Sequence, residues 1–250
     1  MATAILLETD RLEDALSGRA GAPGLLPAAG RPLVDYAARA LAACGDVERV
    51  VLAGPTAYGQ HAVATAHVDE TLLLDEPLRV VVEALLERYG EDEELLLWRP
   101  NGPLLTTDMV EHFLAHAPAE AAVNVALVRA ERIEAELPEF PAVPTTALGP
   151  DTVHFSPLMS LRPAALANHH ALLVRLVAEN MAQAELVKTL GVGFSIKLRT
   201  GRARLDEVAR RVSEVVGSPC VLQMSPYAEL AVRVRNRAEY HWVREQLESA

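Results

Sequence analysis

The sequence predicts an α/β fold, a three-layer sandwich in which a mostly parallel sheet lies between helices. Strand-like and helix-like segments alternate along the chain with short connections, which is the pattern of strand–helix–strand crossover units. The predicted strands are also continuous apolar runs, and such runs are typical of strands that are buried on both faces. With 250 residues, 50% of them hydrophobic, the chain has enough apolar side chains for a sizeable core.

The first half of the chain follows this alternation closely. Apolar runs predict strands at residues 4–7, 49–53, 70–74, 94–98 and 121–128. Apolar residues at helical spacing predict helices at residues 32–44, 57–66, 78–89 and 107–117. Gly45 and Gly90 follow two of these helices, and Thr106 offers a side-chain cap to a third, so the expected boundaries have a physical reason.

The second half is less regular. Four prolines within residues 136–150 predict a loop or a hinge. Beyond it we expect a mostly helical chain over residues 163–190, a helix over 205–216, and strands at 152–155, 195–198, 220–224 and 229–234. Asn236 is expected to cap a final helix, and Glu239, three residues later, completes a pattern like a capping box.

The charge of the chain excludes one class of partner. The formal net charge is −11, so we expect no general binding to the phosphate backbone of nucleic acids. Residues 1–187 hold 12 Lys+Arg and 27 Asp+Glu, whereas residues 188–250 hold 11 and 7 and are net basic. The basic segment, with Lys197, Arg199, Arg202 and Arg204, either binds an anionic ligand or packs against the acidic body.

Hydropathy and cysteine content predict a cytoplasmic protein with no membrane partner. No run reaches the roughly 18–20 apolar residues that span a bilayer. The first ten residues lack a basic segment, so we expect no signal peptide. The two cysteines, Cys44 and Cys220, suit a reducing compartment rather than a disulfide scaffold. Association into a homo-oligomer stays open.

Several common catalytic motifs are missing from the sequence. There is no Gly-x4-Gly-Lys-Ser/Thr phosphate loop, no Gly-x-Gly-x-x-Gly after the first strand and no Gly-x-Ser-x-Gly elbow. His112 and His116 have the spacing of one edge of a metal site, but no third ligand follows at a suitable distance, so we expect a packed or solvated pair. The pair His169–His170 is likewise expected to be structural, and Cys44 to be a buried thiol.

Ligands of parallel α/β sheets bind beyond the carboxyl ends of the strands. The loops to consider therefore follow Leu7, Ala53, Leu74 and Trp98. The first of them contains a glycine-rich stretch, residues 18–24, which either admits a phosphate or is a plain surface loop.

Three stretches of the chain resemble sugar-phosphate and molybdenum-cofactor nucleotidyltransferases. Residues 25–36, with the helix and strand that follow, resemble the N-terminal half of these enzymes. Residues 97–106 resemble the strand and loop that end in Asp-x-Pro-Leu-Leu-Thr, and residues 226–240 resemble the C-terminal strand and helix. The resemblance implies a GT-A nucleotidyltransferase-like, Rossmann-like sandwich in one domain, with a nucleotide-binding half at 1–135 and a C-terminal half at 151–250.

The residues that carry the family's reaction differ at five places, three of them in the first half. The family's Ala-Gly-Gly after the first strand corresponds to Leu7, Glu8 and Thr9, and a carboxylate at Glu8 would repel a triphosphate. The Lys that offsets phosphate charge corresponds to Gly24. The metal-binding Asp of the middle loop corresponds to Asn101, whose neutral amide is a poorer ligand for Mg²⁺.

The other two differences lie in the second half. The family's acidic pair corresponds to Arg233 and Arg235, and its late Gly-Gly-Asn corresponds to residues 156–158. Metal-assisted nucleotidyl transfer needs cations to neutralise the phosphates at the transition state. The loss of the Lys and of a metal carboxylate should therefore cost roughly 10³-fold or more in rate.

These differences favour a nucleotidyltransferase homologue with lost or impaired transfer, which binds a nucleotide, a phosphosugar or another ligand or partner and needs no cofactor. One alternative is an active, Mg²⁺-dependent enzyme in which Asp10, Asp75 and Asp108 supply the carboxylates; another is a structural or oligomerisation protein. No catalytic residue and no metal site is assigned, and Arg31 and Arg99 are further candidates to line a cleft. The candidate ligand-binding residues are Glu8, Thr9, Asp10, Arg19, Gly24 and Asn101.

Overall fold

The structure is a computed structural model. It describes residues 1–8, 21–61, 66–73, 84, 87–90, 92–166 and 190–249. Thr9, Asp10, Arg19 and the predicted histidine pair at 169–170 lie outside these residues, as do most of the helices expected at 78–89 and 163–190.

The centre of the fold is one eight-stranded sheet. Its strands are β1 (Ala2–Leu7), β4 (Val47–Gly54), β5 (Glu70–Leu73), β6 (Leu95–Trp98), β7 (Val123–Arg129), β8 (Thr146–Leu148), β9 (Asp151–Leu161) and β10 (Cys220–Met224). They lie in the order β10–β7–β9–β6–β1–β4–β5, with β8 paired to β9. The pairs of β9 with β6, β7 and β8 are antiparallel and the others are parallel. A separate two-stranded hairpin joins β2 (Pro27–Ala28) to β3 (Arg31–Pro32).

Six α-helices have both of their ends within the described residues. They are α1 (Leu33–Ala42), α2 (Thr107–Ala115), α3 (Ala130–Glu136), α4 (Val192–Arg199), α5 (Leu205–Val216) and α6 (Arg237–Ser249). The prediction is confirmed for α1, α2, α5 and α6 within a few residues, and Thr106 caps α2 as expected by accepting from the amide of Met109. No helix among the described residues has the length and apolar character needed to cross a membrane.

The core lies on both faces of the sheet, as the continuous apolar strands predict. In β1, Ala4 and Leu6 belong to the cluster that contains α1, α2 and α6. Ile5 and Leu7 belong to the cluster on the opposite face, which contains Val216 of α5. These four side chains of β1 are at most 1% exposed, so this strand lies at the centre of a three-layer arrangement.

The prediction of a strand at residues 195–198 is wrong, because these residues lie in α4. The Phe-Ser-Ile-Lys-Leu run alternates like a strand, and over five residues such alternation does not separate a strand from a short helix. Gly191 and Gly201 flank the helix with φ of 84° and 65°. The hydroxyl of Ser195 donates to the carbonyl of Gly191, a helical i−4 contact.

Two other predicted elements are shorter than expected. Residues 229–234 do not form a sheet strand; Ala228–Ala231 is a 3₁₀ turn, and Val234 then makes a single backbone pairing outside the sheet. Of the helix expected at 57–66, the described residues form a 3₁₀ turn at Thr56–Gln60 and His61 has non-helical dihedrals, while residues 62–65 lie outside the described part of the chain. In both segments a buried side chain, Tyr58 or Leu230, anchors the turn to the core and overrides the local pattern.

Strand β9 is much longer than the four residues that the sequence predicts, and it is bulged. From Val125 to Leu127 strand β7 advances two residues, whereas its partners on β9 are Met159 and Phe155, four residues apart. Pro157 lies in this interval and has no amide to donate to the ladder. The bulge therefore shifts the register in the middle of the sheet.

Candidate functional site

Glu8 lies directly after β1, at the carboxyl edge of the parallel strands, where the sequence predicts a ligand site. Its amide continues the ladder by donating to the carbonyl of Ala53 at 2.9 Å. Its carboxylate oxygen Oε2 accepts two hydrogen bonds, from the amide of Gly24 at 3.1 Å and from the hydroxyl of Tyr58 at 2.8 Å. Glu8 and Gly24, two of the predicted site residues, therefore meet at this edge.

The packing around this carboxylate is tight. Tyr58 is fully buried, and a Cβ on Gly24 would lie 2.2 Å from its hydroxyl oxygen and 2.7 Å from the Cβ of Pro100. A Cβ on Gly54 would lie 2.9 Å from the Tyr58 ring and 3.0 Å from the Cβ of Glu8. Both glycines are thus needed for the close approach of the tyrosine ring and the backbone, rather than for an unusual turn.

Arg99 and Trp98 close the edge of the sheet at the end of β6. The guanidinium of Arg99 is buried and donates to the carbonyl of Leu7 at 3.1 Å. The indole of Trp98 donates to the carbonyl of Gly102 at 2.9 Å. A cavity of only about 10 Å³ lies among Leu7, Trp98, Arg99 and their neighbours Leu97, Pro157 and Met159, which is room for about one water molecule.

Asn101 is fully buried in the same loop and binds the C-terminal segment. The side-chain amide of Asn101 donates to the backbone carbonyl of Val234 at 2.8 Å, and the backbone carbonyl of Asn101 accepts from the amide of Val234 at 3.0 Å. These two bonds fix residues 232–235 against the loop after β6. The side chain of Asn101 therefore connects two segments of the chain. An amide suits this role better than a carboxylate, because an amide can donate a hydrogen bond to a backbone carbonyl and a carboxylate cannot.

The two arginines at the positions where the resemblance implies an acidic pair differ in their surroundings. Arg233 is buried, whereas the half-buried Arg235 forms an ion pair with the buried Glu239 at 2.6 Å. The positive charges of Arg233 and Arg235 act on His154, whose Nδ1 is 2.8 Å from the carbonyl of Pro144. Burial, together with the charges of Arg233 and Arg235, lowers the pKa of His154 to about 4, so this imidazole is neutral at pH 7. His154 therefore offers no positive charge that could attract an anionic ligand.

Several other predicted residues do not join this site. Arg31 lies on the hairpin, exposed, 3.7 Å from the carboxylate of Asp35. Asp108 is exposed on the first turn of α2, and its neighbour Thr107 donates to the carbonyl of Ala40 near the end of α1, away from the carboxyl ends of the strands. Thr9, Asp10, Arg19 and Asp75 lie outside the described residues.

The basic C-terminal segment pairs with its own carboxylates. Lys197 of α4 forms an ion pair with Glu207 of α5, and Arg204 lies 3.4 Å from Asp206. Both pairs lie within residues 188–250, so packing against the acidic body and binding of an anionic ligand both stay open as interpretations of this segment.

Cys44 is a buried thiol as predicted, and His112 and His116 form a ring contact on the surface of α2. The rings of His112 and His116 lie 4.1 Å apart, and Tyr227 contacts His112 edge-on. Cys44 and Cys220 are buried free thiols, and burial raises the pKa of both. Neither thiol has the lowered pKa of a nucleophile.

Tyr58 is the site residue that the sequence did not predict. The signal that could have indicated it is the Gly54-Pro55 break directly after β4, which marks a strand-end loop, with one large aromatic residue four positions beyond Gly54. Assigning residues 57–66 to a helix concealed this position.

Searches for similar proteins give matches among solved structures only. No family model and no curated protein sequence matches the chain. A hypothetical transferase from Thermus thermophilus superposes with a TM-score of 0.79 and 27% identity, over 93% of this chain and 96% of that one.

Two of the matched structures that have stated activities illustrate the fold. A nucleotidyl transferase from Methanothermobacter thermautotrophicus gives a TM-score of 0.58 and 12% identity, over 98% of this chain and 96% of that one. A CMP:2-keto-3-deoxy-manno-octonic acid synthetase, solved with CTP, gives 0.59 and 12%, over 100% and 98%. At these identities the likeness extends to the fold, including its mostly parallel central sheet. The chain therefore has the nucleotidyltransferase-like fold that its sequence resembles.

Proposed function

We propose that this protein is a nucleotidyltransferase homologue that no longer transfers nucleotidyl groups and binds a phosphorylated ligand at the carboxyl edge of the sheet, beside a group of packed residues. We call this group, Glu8, Gly24, Tyr58, Arg99 and Asn101, the strand-end site. The observation that carries the proposal is the position of the Glu8 carboxylate, which accepts the Gly24 amide and the Tyr58 hydroxyl. These donors would otherwise be available to a phosphate oxygen.

The negative charge of Glu8 determines how many phosphate groups the ligand can carry. The carboxylate of Glu8 repels phosphate groups, and the repulsion grows with the charge of the ligand. A nucleoside triphosphate is therefore disfavoured relative to a ligand with a single phosphate. We propose a nucleoside monophosphate or a sugar monophosphate, whose hydroxyl groups can donate to a carboxylate.

The described residues do not fit a catalytic Mg²⁺. Asn101 stands where the resemblance expects a metal-binding Asp, and its amide is committed to Val234. Mg²⁺ prefers carboxylate oxygens, and the neutral oxygen of an asparagine amide is a poorer ligand for it. Among the described residues no three side chains of His, Cys, Asp or Glu cluster in the manner of a metal site. We therefore derive no step that runs through a metal ion.

Two assays test the proposal on the whole protein. Isothermal titration should give binding of a nucleoside or sugar monophosphate at least as tight as that of the corresponding triphosphate, with and without Mg²⁺. A pyrophosphate-release assay with the four nucleoside triphosphates and sugar phosphates should give no turnover above the protein-free background. Sustained pyrophosphate release would contradict the proposal.

A variant sharpens the same experiment. Glu8→Gln removes the negative charge and keeps an oxygen that can accept from Gly24 and Tyr58, so the affinity for triphosphates should rise about tenfold. Glu111→Gln, an exposed residue of α2, makes the same chemical change away from the site and should leave the affinity unchanged. An equal rise in both variants would point to net charge rather than to the strand-end site.

The compartment also belongs to the proposal. Cys44 and Cys220 are both buried free thiols, a state that a reducing cytoplasm maintains. We propose a cytoplasmic protein, and fractionation of cells that produce it should recover it with the cytoplasmic enzymes.

A further inference from the structure

An apolar cavity lies between the sheet and α5, separate from the strand-end site. Its volume is about 80 Å³. Side chains from three strands and one helix line it, among them Val123, Val125, Phe155, Met159, Val208 and Val212. We call this space the α5 cavity.

The bulged interval of β9 lies next to this space. Pro157 lies midway between Phe155 and Met159, at the position that a regular strand would direct toward α5. It lines the small cavity beside Leu7 and Leu97, which belong to the cluster on that same face of the sheet, and it is not among the residues that line the α5 cavity. Phe155 and Met159, on either side of Pro157, contribute to the β9 wall of the α5 cavity.

The chemistry of the wall disfavours water. Ser156 is its hydroxyl-bearing residue, and that hydroxyl already donates to the carbonyl of Leu230 at 3.0 Å and accepts from the amide of Leu158 at 3.1 Å. The thiol of Cys220 stays neutral, because burial raises its pKa to about 11. An ordered water needs two to four polar partners, which this wall does not supply, so an apolar occupant is favoured.

From this geometry we propose that the α5 cavity is a binding site for a small apolar molecule of about four or five carbon atoms. An engineered apolar cavity of about 150 Å³ holds benzene, and a space of about half that volume suits a shorter, compact hydrocarbon. The site does not depend on the strand-end site or on its ligand. Because its lining is apolar, the α5 cavity favours an uncharged occupant.

Met159 lies between the α5 cavity and its neighbour, so a substitution at this position should change the size of the site. This side chain lines both the α5 cavity and the 10 Å³ cavity at the ends of β1 and β6. Its thioether chain therefore forms part of the partition between the two spaces. Met159→Ala would merge them, so this variant should accept a larger hydrocarbon than the wild type does.

Xenon and cyclopentane are suitable probes, and no nucleotide is needed. A crystal pressurised with xenon should show one xenon atom among Val125, Met159 and Val212. In solution, cyclopentane at ten times its dissociation constant should raise the unfolding temperature by about 3 °C. Absence of xenon from the cavity together with no shift in unfolding temperature would overturn the proposal.

Two variants make the test specific. Val212→Phe fills the cavity and should abolish both the xenon site and the cyclopentane shift. Val192→Phe adds the same ring at a position that is 62% exposed on α4, and both signals should persist. If Val212→Phe fails to fold, Met159→Ala provides the second measurement, in which the shift with cyclohexane should exceed that of the wild type. An unchanged cyclohexane shift would count against the proposed boundary and site.

Discussion

The strand-end site and the α5 cavity lie on either side of Met159, and they are packed in opposite ways. At the strand ends the carboxylate of Glu8 accepts two hydrogen bonds, the side chains of Arg99 and Asn101 donate to backbone carbonyls, and about 10 Å³ is left. Next to α5 the walls are apolar, and about 80 Å³ is left. A polar network needs fixed partners at fixed distances, whereas apolar surfaces tolerate a gap at a modest cost in free energy.

The largest effect should come from removing the aromatic ring that fills the strand-end site. Tyr58→Ala deletes a fully buried ring and should lower the free energy of unfolding by about 3–5 kcal/mol. Urea denaturation followed by circular dichroism measures this change. A cost below about 1 kcal/mol would mean that this region is not tightly packed, and the contrast with the α5 cavity would fail.

The next effect depends on pH, and it comes from the buried imidazole beside Arg233 and Arg235. The folded pKa of His154, about 4, lies below its ordinary value, so the unfolded chain binds the proton more tightly than the folded chain does. The contribution of His154 to stability is therefore complete above about pH 6.5 and is lost as the pH falls toward 4. The loss should be on the order of 3 kcal/mol, measured by urea denaturation at a series of pH values.

A control variant separates His154 from other titrating groups. His154→Asn keeps a donor for the carbonyl of Pro144 but does not titrate, so its stability should change less between pH 6.5 and pH 4. An identical pH profile in this variant and the wild type would assign the effect to carboxylates elsewhere.

A smaller effect should come from adding one carbon atom to the strand-end site. Gly24→Ala places a Cβ 2.2 Å from the hydroxyl oxygen of Tyr58, and the overpacking should cost about 1–3 kcal/mol. Tyr58→Phe removes that oxygen, so the Gly24→Ala change should cost less in the Tyr58→Phe background. Strict additivity in this double-mutant cycle would contradict the proposed contact.

The smallest effect, and the one of opposite sign, belongs to the α5 cavity. Val212→Phe should fill apolar space and raise the free energy of unfolding by about 0.5–1 kcal/mol. The same urea denaturation measures it. A strong destabilisation would show that this side of the sheet has no space for a ring, and the two regions would then be packed alike.

Local pattern predicted the regular elements of this fold well. The apolar run of β1, the helical spacing of α1 and α5, and the caps at Thr106 and Asn236 each depend on neighbouring residues. The run in α4 was misassigned because an alternating five-residue segment suits either structure, and contacts with α5 decide between them. The length and bulge of β9 depend on pairing with β6 and β7, which no local pattern describes.

For the site, the sequence by itself determined which residue types stand at the strand ends: a carboxylate at Glu8, a glycine at Gly24 and an amide at Asn101. The tertiary structure decided what those residues do, because hydrogen bonding and exclusion of water depend on contacts between distant parts of the chain. It joined Glu8 to Tyr58, 50 positions away, and Asn101 to Val234, 133 positions away. Composition and periodicity follow from the order of residues, but a packed network or an unfilled cavity exists only once separate segments lie against one another.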